Sequence, residues 1–303
     1  MQPLTRTHLI VAAGVAALDE SPSAVALGGG AARVALAAVR RGHRAAIVSR
    51  IGQDERGDTV LSALAEAGVE TTHVQRDPDH DTPRVLRRPD GTPNPAADER
   101  ETAAEWLQWD HDLEDVARRA DSVVFGLASW RGGQSRSEER RLLDAAETAI
   151  RIAVLPDRSV SGCADAPLDR TLAMSALDAA QLVVADRAAL RRLTTVDGTD
   201  ETFFLAAVTA LSRARGVEAF VVPPEPGHEP VGLVIGTRGD AARWTVTGRP
   251  SAGAGAGEGA NATQSALAAD EHARLAVVCA VHGTFDRSPD GLADAIGRDR
   301  VPQ

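Results

Sequence analysis

The sequence predicts an α/β protein of three layers, α/β/α, with a mostly parallel central sheet and a small β-flap projecting from it. Short apolar runs recur along the chain, separated by stretches whose apolar residues fall at helical spacing. Strand and helix patterns alternate through most of the length, as expected of a parallel sheet covered on both faces. Between Val74 and Glu105 polar, proline-rich sequence interrupts the alternation.

Leu9–Ala13 is apolar throughout and reads as a buried first strand, followed by a turn around Asp19-Glu-Ser-Pro22. Gly28-Gly-Gly30 opens a helix over 31–41, with Val34, Ala35, Ala38 and Val39 on one face and Gly42 as its stop. Ala45–Ser49 is the next strand. Gly52-Gln-Asp-Glu-Arg-Gly57 then leads into a helix over 58–67 carrying Val60, Leu61, Leu64 and Ala65. In this setting Asp54 and Gly57 shape the turn and the helix start.

The interruption over roughly 75–105 is read as the flap, with Asp90-Gly91 as a hairpin turn and Trp106 and Trp109 at its base. A loop is the rival reading, because Pro89, Pro93 and Pro95 weaken strands. Beyond it the expected strands are Ser122–Gly126, Ile152–Leu155, Leu182–Ala185, Ala219–Val222 and Val231–Ile235. The expected helices are 135–150, 187–193, 202–215, 260–283 and 290–297. No repeat or second domain is visible, so 1–303 reads as one domain with the flap as an excursion.

The formal charge is −10, with acidic and basic residues interspersed, which argues against nucleic-acid and anionic-membrane partners. No apolar run is long enough to span a bilayer and no leader pattern opens the chain, so a cytoplasmic location is expected. Two cysteines, Cys163 and Cys279, and no His/Cys cluster give no metal site by direct motif. All basic residues are arginines, so lysine Schiff-base and P-loop lysine chemistry are excluded.

One stretch stands out as a candidate active centre. Ser251–Ala262 is a run of Gly and Ala in front of an apolar helical segment, with Glu258 its sole ionisable side chain. Small residues let backbone N–H groups approach a ligand closely, and a helix start beyond them favours an anion. A flexible linker is the alternative reading of such a run.

The ordered motifs resemble the ribokinase-like, PfkB-type family of carbohydrate kinases. Gly14-Val-Ala-Ala-Leu-Asp19 resembles the family's opening Gly-x-x-x-x-Asp, and Gly28–Gly42 has the texture of its Gly-Gly-x-x-x-Asn helix. Ile51–Gly57 is close to its Gly-x-Asp-x-x-Gly signature, and Gly255-Ala-Gly-Glu258 stands where the family has Gly-Ala-Gly-Asp. The resemblance covers nearly the whole chain and implies the ribokinase-like fold with ATP-dependent phosphoryl transfer to a hydroxyl of a sugar or nucleoside-like substrate. It makes Glu258 the catalytic base and Gly255, Ala256 and Gly257 the anion hole. Asp19, Gly29, Gly30 and Arg33 become the substrate contacts, Asp186 falls on the nucleotide and metal side, and Mg-ATP is the implied cofactor. A small-molecule partner and a homodimer through paired flaps are also expected.

Several positions depart from the family pattern. Glu258 replaces an Asp, and its extra methylene moves the carboxylate by about 1.5 Å. Arg33 replaces the sugar-binding Asn, which suits an anionic substrate better than a neutral one. Asp186-Arg-Ala-Ala189 lacks the family's Glu, Leu155-Pro-Asp-Arg158 replaces Asp-Pro-Asn, and Pro223–Pro230 replaces a glycine-rich phosphate turn. Val277 falls near a position that is often polar beside adenine. These departures imply impaired transfer and leave two alternatives open: an inactive pseudokinase serving as a binding or regulatory protein, or an enzyme using Glu258 as base in a different reaction.

Overall fold

The computed structural model describes residues 7–21, 24–86, 101–155, 169–196, 201–223, 231–237, 240–245, 274–281 and 289–298. The first part comprises β1 (Leu9–Ala13), β2 (Ala17–Ser21), β3 (Ala24–Gly28), α1 (Gly30–Arg40), β4 (Arg44–Gly52), α2 (Glu55–Glu66), β5 (Val74–Asp77) and β6 (Arg84–Leu86). Next come α3 (His111–Arg119), β7 (Ser122–Gly126), α4 (Gly133–Ala145), β8 (Ile150–Leu155), α5 (Arg170–Leu177), β9 (Leu182–Ala185), α6 (Arg187–Thr194) and α7 (Glu201–Arg215). The chain continues through β10 (Ala219–Val222), β11 (Val231–Gly236), β12 (Ala241–Thr245), α8 (274–281) and α9 (Pro289–Arg298).

Nine strands form one sheet in the order β12-β11-β10-β9-β8-β7-β1-β4-β5. Pairing is parallel from β5 across to β10 and antiparallel for β10·β11 and β11·β12. Alternate residues of each buried strand supply opposite faces. Ile10 and Ala12 of β1 pack in the core shared by α1, α2, α8 and α9, whereas Leu9, Val11 and Ala13 pack in the core shared by α3, α4, α5, α6 and α7. The three-layer expectation holds, and Val277, at 0% exposure, lies inside the first of these cores.

Asp side chains start α2, α3, α5 and α6 by accepting backbone N–H groups of the first turn: Asp54 from Gly57, Asp110 from Leu113, Asp169 from Thr171 and Leu172, and Asp186 from Ala189. α1 has no such cap. It begins at Gly29, whose φ of 84° suits glycine and whose added Cβ would lie 2.3 Å from the Val15 carbonyl oxygen.

A second, three-stranded sheet has the order β3-β2-β6. Its location differs from the sequence expectation. The hairpin of β2 and β3 comes from the segment read as a turn around Asp19, and the excursion over 75–105 contributes β6; Asp90-Gly91 lies outside the described residues. Two faint signals concealed the hairpin: Ser21 and Pro22 read as loop, and β3 is largely exposed, so it carries no buried stripe. The helix expected over 135–150 ends at Ala145, because Ile150 already pairs with Ser122 in the sheet.

Candidate functional site

The crevice lies where the winding of the sheet reverses. From β1 the chain passes by α1 to β4 on one side, and returns through α3 to β7 on the other, so the covering helices change face at β1. Ligands in open α/β sheets bind beyond the carboxyl ends of the strands at such a point.

The carboxyl end of β1 continues through Gly14, whose N–H donates to the Val48 carbonyl at 3.0 Å. The Ala16 N–H donates to Ser49 Oγ at 3.2 Å, and the Ala31 N–H donates to the Val15 carbonyl at 3.2 Å, which seats the start of α1 directly on this turn. A Cβ on Gly30 would meet nothing within 4 Å, so the backbone there borders open space. From β2, Asp19 reaches toward α1. Arg33 Nη2 donates to Asp19 Oδ2 at 3.3 Å, with both side chains 11% exposed.

The structure thus brings together Asp19, Gly29, Gly30 and Arg33, and turns two separately expected ligand contacts into an ion pair. Sequence spacing gave no hint of that pairing, which depends on Asp19 standing on a strand. The uncapped first turn of α1 adds partial positive charge at the same place.

One wall of this crevice is the 127–132 turn after β7. Ser129 Oγ lies 3.5 Å from the point a Cβ on Gly14 would occupy. Trp130 is fully buried, stacks on Phe125 at 5.4 Å between ring centroids, and donates Nε1–H to Glu139 Oε2 at 2.8 Å. Burial pushes the Glu139 carboxyl up to about 7, against the opposing hydrogen bond of Trp130. Glu139 escaped sequence reasoning because it sits in a charged run that reads as a solvated helix face, yet it is 1% exposed.

Asp186 lies at the end of β9, three strands from β1 and so about 14 Å along the sheet. Asp186 therefore stands well away from the Asp19–Arg33 pair along the sheet. Asp186 Oδ1 accepts the Ala189 N–H at 2.7 Å, which makes it the cap of α6. It offers a triphosphate no donor, and among the described residues no group of His, Cys, Asp and Glu is placed to hold a metal ion. Glu258 and Gly255–Gly257 lie outside the described residues, as do Asp157, Arg158 and residues 224–230. Cys279 is buried in the core, its thiol pushed up to about 12 by burial. Among the described residues no helix is long and apolar enough to cross a membrane.

A mostly parallel sheet with a crevice at its switch point, flanked by a small sheet whose Asp19 pairs with Arg33 of α1, defines an α/β protein of the ribokinase-like class. The family model described as pfkB family carbohydrate kinase matches residues 15–223, more than half of the chain. The chain belongs to the PfkB family of carbohydrate kinases. Fructokinase from Xylella fastidiosa, solved with bound ATP, superposes with a TM-score of 0.70 at 19% identity, over 95% of this chain and 88% of that one. Apo fructokinase from Vibrio cholerae gives a TM-score of 0.67 at 18% identity, over 96% and 95% of the two chains. Both likenesses establish the fold. Ribokinase from Haemophilus influenzae is 44% identical over 50 residues, a match spanning only 16% of each chain.

Proposed function

We propose that the protein transfers a phosphoryl group from Mg-ATP to a hydroxyl of a sugar or nucleoside-like substrate held against Asp19, Gly29, Gly30 and Arg33. The observation that carries this reading is the Asp19–Arg33 pair beside the uncapped start of α1 at the switch point of a PfkB-family chain. Asp19 accepts hydrogen bonds from substrate hydroxyls, while Arg33 offers donors that suit a carboxylate or phosphate on the same substrate. Mg-ATP, when bound, supplies the phosphoryl group. Glu258 takes the proton from the attacking hydroxyl, and the Gly255, Ala256 and Gly257 N–H groups balance the charge that develops on the transferred oxygens. A carboxylate misplaced by about 1 Å costs on the order of a hundredfold in rate, so we expect slow transfer.

A second reading, a binding protein without phosphoryl transfer, is favoured by Asp186, whose carboxylate is committed to capping α6. Both readings place the ligand against Asp19 and Arg33. Thermal-shift titrations with D-fructose, D-ribose and D-gluconate test that placement. At least one should stabilise the protein, and Arg33→Ala should weaken the D-gluconate response about tenfold or more through loss of a charge-assisted hydrogen bond. No response to any of the three, or an unchanged D-gluconate response in the variant, contradicts it.

We also propose a homodimer through the small sheet. β3 is an edge strand of that sheet and its Val25 is 61% exposed, a combination that invites pairing with a second copy. Light scattering should give the mass of a dimer; a monomer removes the proposal.

A further inference from the structure

The Gly52–Gly57 turn carries a dense set of hydrogen bonds. Asp54 caps α2 with Oδ1, which accepts the Gly57 N–H at 2.7 Å. The same carboxylate grips a residue 28 positions away: the Thr82 N–H donates to Oδ2 at 2.8 Å and the Thr82 hydroxyl donates to Oδ1 at 2.6 Å. The hydroxyl oxygen in turn accepts the buried Gly52 N–H at 3.0 Å. Thr82 is 1% exposed.

The glycines permit this contact. A Cβ on Gly52 would lie 2.7 Å from each of Asp54 Oδ2, the His80 carbonyl oxygen and the Thr82 nitrogen, and one on Gly57 would lie 2.3 Å from the Gly52 carbonyl oxygen. The segment entering the small sheet therefore passes flush against the turn. Its other end is held too: Asp77 accepts from Arg50 Nε at 2.7 Å and from the Asp79 and His80 N–H groups at 2.9 and 3.1 Å, while the His80 ring stacks on Trp106 at 4.8 Å.

Immediately after Thr82 the chain becomes part of the small sheet. The Leu18 N–H donates to the Pro83 carbonyl at 3.2 Å, and β6 then pairs with β2 in the register Leu18↔Arg84, Asp19↔Val85 and Glu20↔Leu86. Arg56 adds a second tie from α2, with its Nε 3.4 Å from Glu20 Oε1. A short path of hydrogen bonds thus runs from Asp54 through Thr82 and β6 to the strand that bears Asp19.

We propose that the Gly52–Gly57 turn fastens the small sheet to the body of the protein through Thr82, and that Asp54 and Thr82 are positioning residues for Asp19. The fastening stands on the contacts above, whereas the positioning role rests on Asp19 being a substrate contact.

Hydrogen exchange on the full chain tests the fastening without any ligand. Thr82→Val keeps the side-chain shape while removing the hydroxyl, which leaves the Gly52 N–H buried without its acceptor. Exchange in 17–28 and 84–86 should speed up about tenfold or more, with β1 and β7 unchanged. Thr82→Ser should restore the wild-type rates. Arg56→Ala, which removes the partly exposed tie and a positive charge near Asp54, should give a smaller acceleration in 17–21 and covers the case in which Thr82→Val does not fold. Unchanged exchange in the small sheet, or an equal acceleration throughout the protein, overturns the fastening.

D-Fructose phosphorylation tests the positioning role separately. Thr82→Val should raise the KM for D-fructose severalfold with the KM for ATP unchanged, and Thr82→Ser should return it. An unchanged KM for D-fructose in a variant with accelerated exchange overturns positioning and leaves the fastening intact. Failure of wild-type protein to phosphorylate or bind D-fructose counts against the substrate reading of the crevice and the role built on it, while the exchange result stands.

Discussion

Trp130→Ala should destabilise the protein by about 3–5 kcal/mol, the range for deleting a large aromatic side chain from a packed core. The indole is fully buried, stacked on Phe125, and donates to Glu139, so its removal leaves a cavity and a buried carboxyl deprived of a donor. The same cluster gives stability a pH dependence. Burial raises the Glu139 carboxyl from 4.5 to about 7 in the folded protein, which therefore holds a proton that the unfolded chain has released between those values. The stabilising contribution is fully present below about pH 4.5 and is lost as pH rises toward 7, on the order of 3 kcal/mol in all. Denaturant titrations at pH 5 and pH 8 should show this loss in wild-type protein. Glu139→Gln, which keeps an acceptor for the indole N–H and cannot ionise, should largely remove it; the same pH dependence in the variant assigns it to other groups.

Asp54 works in the opposite sense. Burial would raise its carboxyl, but hydrogen bonds from the Thr82 hydroxyl, the Thr82 N–H and the Gly57 N–H, with Arg56 nearby, hold it below the ordinary value of 3.8. Its contribution is present above that value and is lost only as pH falls through the lower, folded one. The fastening of the small sheet is thus intact across the range in which Glu139 titrates.

Much of the fold was legible in the sequence because the central strands are buried on both faces. Leu9–Ala13, Ser122–Gly126, Leu182–Ala185 and Ala219–Val222 read as apolar runs and lie in the sheet at those bounds. The small sheet was illegible for the converse reason. β3 buries little, and the pairing of β2 with β6 joins segments far apart in sequence, so neither periodicity nor a turn motif marks it.

The site divided along the same line. Asp19, Gly29, Gly30 and Arg33 were singled out by motif order, and the structure gathers them, but the ion pair between Asp19 and Arg33 needed a strand that the sequence did not reveal. Gly-x-Asp-x-x-Gly was recognised as a turn; its grip on Thr82 is a contact across the fold. Glu139 is the sharpest case. A Glu within Ser137-Glu-Glu-Arg-Arg141 carries the signature of solvent, and only the packing of α4 against Trp130 reverses it.

Glu258→Gln should lower turnover by about 10²–10⁴, the usual contribution of a general base, with the fold unchanged by circular dichroism. The substitution keeps size and polarity while removing the ability to take the hydroxyl proton, so a loss of rate without loss of D-fructose binding is the pattern of a base. This variant belongs in a phosphorus NMR experiment on the protein incubated with Mg-ATP and D-fructose, D-ribose or adenosine. A new phosphate monoester resonance is expected with one of these acceptors, growing in step with ADP in wild-type protein and strongly slowed in Glu258→Gln. Unchanged ATP resonances with every acceptor, together with no heat of binding at millimolar Mg-ATP, would contradict phosphoryl transfer and favour the reading of a binding protein.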